Sequence, residues 1–122
     1  MPVLTVLGMP ADMTKRLSKL RHDLQSSVAD HLNLASLDEV SVFFPVDLDR
    51  SRLGKELICL VDGTFVKPER TPEVLKHTFV WIRNILFSFA VRYLSQCGKV
   101  EVIPSRYDQN IDGCYVWERG KK

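Results

Sequence analysis

The residue with the clearest chemical potential is Pro2, directly behind Met1. If Met1 is removed, Pro2 carries a free secondary amine, and such an amine is a compact general base. It accepts protons near neutral pH only if an apolar setting disfavours its charged form. Val3, Leu4, Val6 and Leu7 supply the beginnings of that setting. With Met1 in place the same nitrogen is an amide, and Pro2 is then an ordinary proline at the head of a strand. His22, His31 and His77 are the other acid–base candidates. Their spacing gives no pair of metal ligands one helical turn apart, so they read as exposed or capping residues. Asp108, Asn110, Asp112 and Gly113 match the first half of a calcium loop, but Arg119 stands where the bidentate glutamate belongs. Asp112-Gly113 is better read as a hairpin turn. No metal is expected. There is no G-x-S-x-G, Gly-rich phosphate loop or Cys–His signature, which argues against hydrolase and nucleotide chemistry and leaves no cofactor to expect.

Composition narrows the setting. A chain of 122 residues, 45% hydrophobic and 26% charged, suits one globular domain, 1–122, small enough to benefit from oligomerisation. A net charge of +2 gives no reason to expect nucleic acid or a membrane as partner. The longest apolar run, 79–94, is broken by Arg83, Asn84 and Arg92 and is short for a bilayer span. Cys59, Cys97 and Cys114 are odd in number and lack C-x-x-C spacing, and no signal peptide is evident, so a reducing cytoplasm is expected.

The elements that would position Pro2 follow from pattern. Residues 3–7 read as a buried strand ended by Gly8-Met9-Pro10. A helix should follow with Asp12 as N-cap, burying Met13, Leu17, Leu20, Leu24 and Val28 and exposing Lys15, Arg16, Lys19 and Arg21. Residues 40–46 and 56–65 are the next strands, separated by a polar loop. Thr71-Pro72-Glu73 starts a second helix that buries Leu75, Phe79, Ile82, Leu86, Phe89 and Leu94, with Gly98 as its left-handed cap. Val80, Trp81, Ile85, Phe87 and Val91 widen its apolar stripe, which points to contact with another subunit. Residues 100–103 form a fourth strand and 114–117 a short tail strand. The order is β-α-β-β-α-β, an α+β two-layer sandwich. A ferredoxin-like and a tautomerase-like domain share it and differ in strand pairing.

Met1-Pro2 ahead of a strand, Leu37-x-x-Val40-Ser41-Val42 before the second strand and Tyr107-Asp108-x-Asn110 near the end resemble the tautomerase superfamily over nearly the whole chain. The layout is similar to its macrophage migration inhibitory factor and carboxymethyl-hydroxymuconate isomerase branches. The resemblance implies a homotrimer in which Pro2 moves a proton between carbon and oxygen of a small carbonyl acid. The oxalocrotonate branch places arginines where this chain has Ala11 or Asp12 and Ser41, removing a carboxylate-binding fork. The inhibitory-factor branch has a lysine near Asn33, and a tyrosine and an asparagine near Ile103 and Ser105. Arg50, Arg52 and Arg106 are the cations expected to substitute, since in a trimer a neighbour's loop can reach the pocket. The competing reading is a non-catalytic oligomeric binding module of the same fold.

Overall fold

The computed structural model describes residues 2–46, 48, 50–64 and 70–104. Strand β1 is Val3–Leu7, as expected from its β-branched run between Pro2 and Gly8. Helix α1 is Thr14–Leu32, β2 is Ser41–Phe43, β3 is Glu56–Asp62, α2 is Pro72–Tyr93 and β4 is Lys99–Pro104. The proposed tail strand lies outside the described residues.

The four strands form one sheet in the order β2-β1-β3-β4. β1 runs parallel to β2 and antiparallel to β3, and β3 runs parallel to β4. Each helix therefore crosses between two adjacent parallel strands, and the two β-α-β halves join through the central antiparallel pair. This pairing separates the chain from a ferredoxin-like sheet, whose β-α-β units are split by an inserted strand.

Alternation along the strands sends one row of side chains to the helices. Leu4, Val6, Val42, Leu57, Cys59 and Val61 are buried there, and the register sets Leu4 beside Val42 and Val61, and Val6 beside Cys59. Leu20, Leu24 and Val28 of α1 and Ile82, Leu86 and Phe89 of α2 close this layer. The other sheet face has no helix on it among the described residues. Its Leu7, Phe43 and Ile103 are exposed.

The caps depart from expectation in two places. Asp12 does not cap α1: it lies in a short 3-10 turn, Ala11–Met13, and the helix begins behind Met13 without a side-chain cap. The Pro10 carbonyl accepts from the Met13 amide at 3.2 Å and closes that turn ahead of the helix. Gly98 is not a left-handed cap either, since α2 stops at Tyr93 and the Leu94 amide donates to Ala90. The left-handed helix end belongs to Asn33, at φ 54°, whose amide donates to the carbonyls of Ala29 and Asp30. Thr71 caps α2 as expected, accepting from the Val74 amide at 3.3 Å, with Pro72 at the first helical position.

By length and composition alone α2 is apolar enough to cross a membrane. Here it lies on the sheet, burying Leu75, Thr78, Ile82, Leu86, Phe89 and Ala90. Phe79 is only half-buried, while Trp81, Phe87 and Val91 face outward.

Candidate active site

Pro2 sits where the two halves of the sheet meet. Its carbonyl accepts a hydrogen bond from the Ser41 amide at 3.0 Å, and Val3 beside it pairs with Ser41 on one side and Asp62 on the other. The Pro2 ring is fully buried. The strand neighbours expected to make its surroundings apolar behave differently: Leu4 and Val6 point into the core, Val3 is half-buried and Leu7 is exposed.

Topology decides what else reaches this end of the sheet. α1 runs back along β1 and ends here at Leu32 and Asn33, while β3 ends here at Asp62 and is followed by buried Thr64. Because α2 returns to a strand that starts opposite Glu56, its own start must lie at the Pro2 end. Arg70, two residues ahead of α2, is therefore at this end too. It is only 7% exposed. Its Nη1 is buried and has no hydrogen-bond partner among the described residues. A buried charged donor left unmade costs more than a neutral one, so such a group calls for an anion.

Arg70 was not among the cations singled out from the sequence. The sequence shows only that a cation stands directly before Thr71-Pro72, where the start of a helix favours negative charge.

The other candidates are placed as follows. Arg50 and Arg52 lie in a 3-10 turn, Arg50–Arg52, just ahead of β3. The Gly54 amide donates to the Gly8 carbonyl at 2.9 Å and Leu7 pairs with Ile58, so this turn stands at the opposite end of β1 from Pro2. At the rise of a strand that is roughly 20 Å away within one chain. Arg52 is also engaged, its Nε donating to Glu56 Oε1 at 3.2 Å. That hydrogen bond raises the Arg52 pKa and lowers that of Glu56. Arg106 lies outside the described residues, as do Asp108, Asn110, Asp112 and Cys114. Asn33 is exposed at the Pro2 end, and Ser41 contributes its backbone amide to Pro2.

The histidines are held by their own helices. His31 Nδ1 is 2.7 Å from the Ser27 carbonyl, and its ring tilts against Trp81 with centroids 5.9 Å apart. His22 Nε2 lies 3.5 Å from Ser26 Oγ, and His77 is exposed. Burial pushes the Cys59 thiol up to about 12, which leaves it without nucleophilic character at neutral pH. Among the described residues no three His, Cys, Asp or Glu side chains are grouped to hold a metal ion.

This architecture is the tautomerase fold. A fused 4-oxalocrotonate tautomerase described as a wild-type asymmetric trimer is similar at 14% identity, with 98% of this chain and 94% of that one covered and a TM-score of 0.57. A 5-carboxymethyl-2-hydroxymuconate isomerase from Deinococcus radiodurans R1 is similar at 14% identity, 98% and 90% coverage and a TM-score of 0.57. A member of the cis-3-chloroacrylic acid dehalogenase family is similar at 14% identity, 98% and 81% coverage and a TM-score of 0.59. No family model matches the chain. No curated protein matches it in sequence. At these identities the likeness establishes the fold, and the chemistry must be argued from the residues.

Proposed function

We propose that this chain is a keto–enol tautomerase acting on a small carbonyl acid, with Pro2 as the proton-transfer base and Arg70 as the cation of the pocket. The observation that carries the reading is a single one: a fully buried Pro2 and a buried Arg70 guanidinium nitrogen without a partner among the described residues lie at the same end of the sheet. The neutral Pro2 nitrogen takes a proton from the carbon beside a carbonyl. Arg70 offsets the negative charge that moves onto oxygen or already sits on the acid, and the protonated amine returns the proton at the other position. Burial supports the neutral amine by disfavouring its charged form. The reading requires that Met1 be removed, because an acylated nitrogen has no lone pair to offer.

The fold relatives act on compounds of this kind by their names, and one is described as a trimer. The sheet face that carries no helix among the described residues, with exposed Leu7, Phe43 and Ile103, is the surface through which we propose that three chains associate. In that assembly Arg50, Arg52 or Arg106 of a neighbouring chain can supply a further cation; within one chain Arg50 and Arg52 stand at the far end of β1 from Pro2.

The test is an intact-mass measurement followed by tautomerisation assays with phenylpyruvate and hydroxyphenylpyruvate on Met-free protein, Pro2→Ala and Arg70→Met. A general base contributes roughly 100-fold to 10,000-fold, so Pro2→Ala should lose most of the rate. Activity that survives Pro2→Ala rejects the mechanism. No activity in any of the three supports the binding module instead.

A further inference from the structure

The second feature of the molecule lies between the outer sides of α1 and α2, at the end of the sheet away from Pro2. A groove of about 820 Å³ runs there between the first turns of α1 and the last turns of α2. Trp81 is 50%, Phe87 58% and Val91 69% exposed. Phe87 and Val91 stand one turn apart on α2, with Trp81 about a third of a turn around the helix from Phe87, and all three line the groove, giving that helix more apolar surface than the sheet can cover.

Charge is distributed just as unevenly. Lys15, Arg16, Lys19 and Arg92 line the groove against one carboxylate, Asp23. Neither ion pair among the described residues involves any of the four. Arg16 stacks on the Tyr93 ring at 4.0 Å and Arg92 approaches it at 5.9 Å, which fixes two guanidinium groups at the rim of an aromatic wall. A hydrogen bond from Arg92, together with the charges of Arg16 and Arg92, lowers the Tyr93 pKa. The Arg16–Tyr93 contact anchors Arg16 at the groove.

We infer that this groove docks an acidic amphipathic helix of a partner protein, its apolar stripe on Trp81, Phe87 and Val91 and its carboxylates on Lys15, Arg16, Lys19 and Arg92. Trp81 to Tyr93 extends for about 18 Å at the rise of a helix, the length of three turns of a partner laid alongside and longer than a small metabolite fills. A second copy of this chain is disfavoured, because a self-complementary contact would set the same unpaired cations against one another. A flat lipid surface would reach the exposed tips but not the slot between the helices. The inference is independent of the reaction proposed at Pro2.

The test uses a dye-labelled peptide of about 16 residues with leucines at helical spacing and glutamates elsewhere. Its anisotropy should report saturable binding that weakens with salt. Lys19→Glu with Arg92→Glu should weaken it at least about tenfold, and Val91→Asp at least about fivefold. These side chains are exposed, so folding and Pro2-dependent activity should be unchanged. Amide shifts in a labelled-protein titration should follow α1 and α2 along the groove. The inference is overturned if no saturable binding is seen, or if the peptide with lysines for glutamates binds equally well. It is also overturned if the variants bind as the parent does, or if shifts fall elsewhere. Capture of the protein by phosphatidylserine vesicles with no peptide binding would assign the surface to a membrane. Self-association abolished by Val91→Asp would assign it to a second copy.

Discussion

The amide of Ser41 donates to the carbonyl of Pro2 at 3.0 Å, so the first residue of β2 holds the residue that stands in front of β1. A side chain at 41 is not needed for this, but an amide hydrogen is. Ser41→Pro removes the donor from an edge strand and should cost about 1–3 kcal/mol in a urea melt, with a loss of kcat beyond that of stability because Pro2 is no longer held. Ser41→Ala retains the amide and should leave both nearly unchanged.

Arg70 should behave as a residue kept for function against stability. Its Nη1 is buried without a partner among the described residues, so Arg70→Met replaces an unmade charged donor with an apolar chain of similar length. Thermal melts of the ligand-free protein should show Tm unchanged or raised. The kcat/KM on a carbonyl acid should nevertheless fall by roughly 100-fold or more, the scale for losing one charge-stabilising donor. A Tm that drops by many degrees would mean Arg70 is structural.

Gly8 tests the turn that lets β1 approach β3. At φ +93° a Cβ on Gly8 would lie 2.0 Å from the Glu56 carbonyl oxygen, which is backbone and cannot swing away. Gly8→Ala should therefore cost about 3 kcal/mol or more by chemical denaturation. Gly98, with open space where its Cβ would go, is the control. Gly98→Ala should fall within about 0.5 kcal/mol of the parent.

The Arg52–Glu56 pair predicts a small pH dependence with a definite sign. The hydrogen bond from Arg52 lowers the folded-state pKa of Glu56 below its ordinary value of 4.5. Its contribution is therefore present above that value and is lost as pH falls through the lower folded-state value. Denaturant melts from neutral pH down to about pH 3 should show this acid loss reduced in Glu56→Gln. Because Arg52 is exposed and Glu56 only half-buried, the difference will be modest and will shrink with added salt.

Much of the fold is legible in local pattern. The Val3–Leu7 run, the Thr71-Pro72 start of α2 and the alternation of Leu57, Cys59 and Val61 against Ile58 and Leu60 all appear where the residues indicate. Backbone geometry and two-residue periodicity act over a few neighbours, so these features need no distant partner. Asp12 and Gly98 are not the caps that their residue types suggest, for a related reason. The 3-10 turn Ala11–Met13 puts the cap position of α1 at Met13, one residue past Asp12, and α2 is capped at Leu94 before any glycine is reached.

The sequence by itself determined the element order, the apolar rows and the presence of a proline that can become a base. Only the tertiary structure decided which cation shares its end of the molecule. Arg50 and Arg52 stand beyond the far end of β1, whereas Arg70 is carried to the near end because β3 runs antiparallel to β1 and α2 starts where β3 stops. Burial of a guanidinium depends on the elements packed around it, and those come from remote parts of the chain. No local spacing records that.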